Sequence, residues 1–405
     1  MDIILRNVAL KDRQYNVFDV GITGDTIIQI APRIDGRAKL ALNCSGGLAA
    51  PSFVDSHSHL DKYKMIHMCE PSVTGTLAES FARSLEGKRN SSVSDVIART
   101  TEAARIAVAN GIGAIRVHSE VDSSWGITGV EGVLEVKKAF ADVLDLQILA
   151  LPAQNPMDDG LRALVRKAME AGANAIGGSP HLEYTQPDVS NYVDFIFAIA
   201  KEYDVPVDLH VDQEVDPTSY TRSLEYILVK TLRENYGGRV TVNHCGALAA
   251  YRPNYRARII GLMKRAEVNF VMCPKEELII NGMDSAPVQE IFAAGINCAY
   301  AHNNCADTFS PYGRLDMLEA GILAIHAAGM TSKDYADHVL DMGTVNPARI
   351  MGLDRYGIAE GKKAHINIFA ATTAYEVFRQ GVAPKFVIRG GRLVAENRSE
   401  RALHF

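Results

Sequence analysis

The sequence predicts an α/β protein: a distorted TIM (β/α)8 barrel carrying a small discontinuous β-sandwich built from the two ends of the chain. Three observations carry that expectation. The middle of the chain repeats one unit, an amphipathic stretch that ends at Gly or Asn and runs into a short β-branched segment, as in "VANGIGAIRVH", "MEAGANAIGG" and "FAAGINCAYAH". A left-handed glycine ends a helix, and the run behind it reads as a buried parallel strand. No G-x-G-x-x-G follows any of these runs, which argues against an open doubly wound sheet. Both chain ends alternate apolar and polar residues between glycines, the pattern of antiparallel strands.

In chain order, residues 1–50 supply "IILRNVAL" and "FDVGITGDTIIQI" to the β-rich accessory domain, and residues 51–355 form the barrel. Barrel strands are expected at 48–57, 112–119, 146–153, 173–179, 206–211, 239–244, 268–273 and 297–302. They recur about every 30 residues, most intervals hold one helix-periodic segment such as "SNYVDFIFAIAKEYD", and eight such units close a barrel. Residues 356–405 return to the accessory domain through "HINIFA" and "PKFVIRGGRLVAE", in which Gly390-Gly391 makes a hairpin turn.

The hydrophobic fraction of 47% and charged fraction of 22% fit a soluble globular chain. A net charge of −6 with no basic tract leaves no footprint for nucleic acid. No apolar stretch is long enough to span a bilayer, and "MDIILRNVAL" lacks the regions of a signal peptide. The six cysteines are scattered without a C-x-x-C pair, as expected of reduced residues in a cytoplasmic protein. Cys245 and Cys305 lie near candidate site residues and are read as packing residues.

In such barrels function gathers at the C-terminal ends of the strands. The stretch "DSHSHLDK" places His57 and His59 at i and i+2 at the end of the first strand, where the pleat aims both to one face. His118, His210, His244 and His302 end the second, fifth, sixth and eighth strands. Six of twelve histidines at strand ends point to a metal or catalytic centre, because neutral imidazole is the commonest metal ligand. His181, just past the fourth strand, fits a core or loop-tethering role better than a catalytic one. His67, His326, His338, His365 and His404 lie off the pattern.

A histidine pair on the first strand, with histidines ending the fifth and sixth, resembles the amidohydrolase superfamily. The stretches "PSFVDSHSHLDK", "GGSPHLEYT", "VDLHVDQEVD" and "NCAYAHNNCADTFSPYG" resemble its cytosine deaminase-like group, which includes aminohydrolases of s-triazine rings. The likeness runs over essentially the whole chain, through the closing "YGIAEGKKAHINIF". It implies that His57, His59 and His210 bind one divalent metal ion, zinc or iron, and that His244 contacts substrate or the attacking water. It also implies that Gln154 binds a ring carbonyl and that Lys62 matches the lysine of the triazine-acting members. A small heterocyclic substrate and a homo-oligomer follow from the same resemblance. Three neutral imidazoles would leave the ion a position for water, whose pKa drops towards neutrality, as hydrolysis of an amidine-like C–N bond requires.

Two acids of that pattern are replaced. The carboxylate expected three residues after His210 is Gln213, and the strand-eight aspartate is Asn303; neither amide accepts a proton. A slip of one residue would offer Glu214 instead, but it turns the side chain to the other face. Gln213 and Asn303 are therefore catalytic positions with altered chemistry, and proton transfer falls to His244, helped by Asp212 or His302. Asp212 and His302 are also candidates for substrate contact. Two other functions stand beside hydrolysis. One is a degenerate member that binds a small ligand or partner without turnover, and the other is a metal-free enzyme using Lys62 and His244. The pocket is expected to be polar and sized for a single ring.

Overall fold

The computed structural model describes residues 1–152, 158–215, 222–282, 284–399 and 402–404. Eight parallel strands pair side by side in chain order: Phe53–Ser58, Ile112–Val121, Asp145–Pro152, Ala175–Gly178, Val207–Val211, Val240–His244, Asn269–Met272 and Cys298–Tyr300. A parallel bridge between Ser58 and Asn303 joins the first strand to the chain just beyond the last. There the Asn303 amide donates to the His57 carbonyl at 3.0 Å. The first and last strands are thus neighbours, as a closed barrel demands.

Local chemistry sets the helix ends as the repeat implied. A capping box of Ser92 and Asp95 starts the helix Val93–Ala109, and Gly111, at φ 80°, turns the chain into the second strand. Asp158 caps Asp159–Ala171, which ends at Gly172 with φ 122°. The apolar faces of these helices meet the barrel in one core that includes Ala103, Ala107, Val165, Ala168, Ile115 and Val117. Each fully buried Val or Ile contributes about 1.5–3 kcal/mol.

One expected strand divides. Leu48–Pro51 pairs antiparallel with Ile366–Ile368 and belongs to the terminal sheet, and only from Phe53 does the chain enter the barrel. The run "LAAPSFV" is apolar throughout because both sheets bury it, so no change of pattern marks the crossing.

The two chain ends build one mixed eight-stranded sheet from Ile3–Leu10, Val17–Thr23, Thr26–Ala31, Leu40–Asn43 and Leu48–Pro51 with Ile366–Ile368, Phe386–Arg389 and Arg392–Glu396. Its first strand forks. Residues 3–6 pair with Leu40–Asn43, whereas Ala9 and Leu10 pair with Leu48 and Ala49. Asn7, at φ 56°, sits at the break. The sheet surrounds a second core that includes Leu5, Val20, Ile22, Ile27, Ile366 and Ile388. Gly390 (φ 51°) and Gly391 (φ 69°) form the two-residue turn between Arg389 and Arg392, with the positive φ pair that a type I′ hairpin needs. Among the described residues no helix is long and apolar enough to cross a membrane.

Candidate active site

His57 lies on the fully buried strand Phe53–Ser58, and His59 follows one residue past its end, just before the turn Leu60–Lys62. Their ring centroids are 5.4 Å apart. His210, on the fifth strand, lies 4.5 Å from His57 and 5.5 Å from His59. The rings of the three expected ligands therefore lie close together. His118 joins them at 3.8 Å from His57, and His244 at 5.5 Å from His210. Two groups bring their ligand atoms within 4.8 Å of one another, His57, His118 and His210, and His57, His244 and Cys273; the expected ligand His59 belongs to neither. His118 in the first group was read from the sequence only as a strand-end histidine.

This donor set fits a divalent ion. Both ring nitrogens of His57, His118 and His244, and Nδ1 of His210, are buried without a hydrogen-bond partner among the described residues. His59 Nδ1–H donates to the His118 carbonyl at 2.9 Å, which directs the lone pair to Nε2. Burial above all holds His57, His59 and His210 far below the ordinary histidine range. They are neutral, the form that ligates metals. Below them Asp208 accepts from Arg116 at 2.6 Å and lies 3.7 Å from His118 Nε2.

The two amide positions differ in their surroundings. Gln213 Oε1 meets His181 Nε2 at 3.2 Å, while His181 Nδ1 meets the His210 carbonyl at 3.1 Å. His181 thus ties the loop after the fourth strand to the fifth, and Glu214 is exposed. Asn303, at φ 62°, donates from Nδ2 to Glu276 Oε2 at 2.9 Å. Glu276 and Glu277 are both buried, in the first turn of the helix Pro274–Asn281 that follows the seventh strand. Burial pushes Glu276 up to about 7; Asp307 adds to the shift, and His244, Lys62 and Lys275 oppose it. Glu277 accepts from the Cys273 amide at 2.8 Å and lies 3.6 Å from His244 Nδ1. Sequence reasoning missed both acids. The signal was present: "CPKEEL" follows a barrel strand, where the histidines had been sought.

Three expected contacts are corrected. Asp212 directs its carboxylate at the start of the helix Leu224–Arg233, accepting from Ser223 N at 2.9 Å, Ser223 Oγ at 2.8 Å and Leu224 N at 3.1 Å. Those bonds make it a helix-end anchor. The His302 ring is absent from the ring contacts that join the other five histidines and lies against Gly313 instead, where a Cβ would stand 3.1 Å from it. Lys62 is no free base: its Nζ bonds Glu120 at 2.6 Å and lies 4.8 Å from the Phe309 ring centroid. Burial works against its charge, but Glu120, Asp307 and Asp61 outweigh burial and keep it protonated. Gln154 lies outside the described residues.

The approach to the histidines is covered. The helix Leu77–Arg89 lies over this end of the barrel, with Phe81 packed edge-on against Phe309 at 5.1 Å. On one side of it is a cavity of about 440 Å³ reaching Thr76, Ser80, Glu214, Glu276, Asn281 and Phe309. On the other, about 270 Å³ is lined by Phe81, Lys88, Glu120, Asp122 and Ser179. The histidines lie deeper, nearly or fully buried.

An eight-stranded parallel barrel with a histidine cluster among its strand ends defines the class, an α/β barrel with a candidate metal centre. Residues 73–395 match the amidohydrolase family, and the chain belongs to that family. It is 29% identical to the N-isopropylammelide isopropyl amidohydrolase of Pseudomonas sp. (strain ADP), over 98% of each chain. It is likewise 29% identical to a pterin deaminase of Rhizobium rhizogenes, over 93% of this chain and 87% of the relative. The 5-methylcytosine deaminase of Klebsiella pneumoniae, liganded with 5-fluorocytosine, superposes with a TM-score of 0.92 at 29% identity, over 99% of each chain.

Proposed function

We propose that the barrel, residues 51–355, hydrolyses a C–N bond of a small polar nitrogen heterocycle of the pyrimidine, triazine or pterin type. The observation that carries this reading is the set of buried ring nitrogens without partners among the described residues at the strand ends. His57, His59 and His210 would hold one divalent ion, zinc or iron, with His118 beside His57. Such an ion supplies Lewis-acid polarisation and activation of water.

The remaining chemistry belongs to the chain. His244 contacts the attacking water or the substrate, and Glu277 lies behind it, 3.6 Å from Nδ1. Gln213 and Asn303 offer neutral amide groups to the polar edge of the ring, and Gln154 takes a ring carbonyl. Lys62, fixed by Glu120, supplies a positive charge beneath Phe309. A lysine held charged in this way disfavours the metal-free alternative, which needs it as a nucleophile or base. The resemblance supports a homo-oligomer, and the scattered free cysteines support a cytoplasmic protein. The test is amine release from cytosine, an N-alkylammelide and a pterin by protein loaded with zinc or with ferrous iron. Turnover of at least one is expected, and turnover of none contradicts the reading.

A further inference from the structure

We propose that Glu276 is the catalytic carboxylate that carries protons in this reaction, in place of the acids absent at positions 213 and 303; the inference rests on the hydrolytic reading above. The chain has not lost an acid from the site but holds one on the helix that follows the seventh strand. Glu276 is buried, bonds the side chain of Asn303 directly, and lines the cavity of about 440 Å³ beside the covering helix. The charged and titratable groups around it come from four elements: Lys62 after the first strand, His244 on the sixth, Lys275 on its own helix, and Asp307 after the eighth. Burial places its proton equilibrium near neutrality, where a group can both accept and return a proton. The bond from Asn303 engages one carboxylate oxygen, Oε2. An aspartate at 303 would instead set two carboxylates against each other, so the amide at 303 and the acid at 276 form a matched pair.

The step balances with one water. Its oxygen bonds the ring carbon while Glu276 takes one water proton and passes it to the ring nitrogen that receives the C=N electron pair. Glu276 then takes the remaining hydroxyl proton and delivers it to the exocyclic nitrogen. The C–N bond breaks with its electron pair going to the departing amine, the carbonyl forms, and Glu276 ends as it began.

The test uses the full-length, metal-loaded protein and whichever ring amine it turns over. E276Q should lower kcat by about 10²–10⁴-fold and remove the limb of the pH profile nearest neutrality. Metal content by elemental analysis should match wild type. The double variant E276Q/Q213E should regain part of the rate by restoring an acid from the fifth strand. Unchanged kcat and pH profile in E276Q overturn the role of Glu276 alone. If E276Q does not fold, E276D decides: withdrawing the carboxylate by one methylene should cut kcat at least about tenfold at constant metal content, and unchanged kcat overturns the proposal. Absence of turnover by the wild-type protein overturns the hydrolytic reading, and this role with it.

Discussion

Two polar clusters are buried side by side at the same end of the barrel, and they treat their polar atoms differently. Lys62 and Lys88 both bond Glu120 at 2.6 Å, and Lys88 also pairs with Asp122, so that each charge has an opposite partner. The histidines a strand or two away leave ring nitrogen after ring nitrogen unpaired. A buried polar atom without a partner costs about 1–3 kcal/mol, so the second cluster is an expense that the fold carries until something binds. The difference separates architecture from function: a satisfied buried network fixes the strand ends, and an unsatisfied one marks where a ligand belongs.

The sharpest way to break this comparison is to remove a histidine. His57→Ala and His210→Ala should each weaken metal retention by at least about 10²-fold and abolish measurable turnover, while the melting temperature without metal stays near wild type. A large loss of metal-free stability would make the cluster architectural after all. The opposite pattern is expected at the ionic cluster. Glu120→Gln removes the carboxylate that bonds both buried ammonium groups and should cost about 3–5 kcal/mol in denaturant unfolding. A cost near zero would mean that the charges are solvated. Burial opposes ionisation of Glu120, but Lys62 and Lys88 outweigh it and hold its carboxyl well below the usual range. Its stabilising contribution is therefore complete above the ordinary value of 4.5 and is lost only as the pH falls far below it.

Adding metal sharpens the contrast from the other side. At a free concentration of 100 times Kd, a divalent ion should stabilise the folded chain by about 2.7 kcal/mol, read as a rise in melting temperature that a chelator reverses. No shift would mean that the unpaired nitrogens bind nothing. The smallest effect lies in the approach to the covering helix. Hydrogen bonds from Thr74, Val73 and Ser72 hold Glu79 down at about 2. The loop 72–75 should keep its order above the ordinary value of 4.5 and loosen as the pH falls through about 2, with faster amide exchange at Val73 and Thr74.

Much of this was legible in the chain because it follows from local rules. A glycine that ends a helix before a β-branched run located the barrel strands, and the strand-end rule brought His57, His59, His118, His210 and His244 to one place. What was not legible depends on neighbours distant in sequence. Asp212 reads as a site acid until its carboxylate is found capping the helix that starts at Leu224. Lys62 reads as a free amine until Glu120, 58 residues away, is seen to bond it. Glu276 is hidden because the family pattern places its acids at positions 213 and 303, after other strands. The burial of Leu48–Pro51 in one sheet and Phe53–Ser58 in another hid the crossing, since both stretches are apolar.

The central claim is that the unpaired histidine nitrogens hold a metal ion. Elemental analysis of the purified wild-type protein beside His57→Ala and His210→Ala tests it most directly. The account predicts close to one equivalent of zinc or iron per wild-type chain and a small fraction of that in either variant. Wild-type protein that hydrolyses its substrate fully with no metal bound would contradict it.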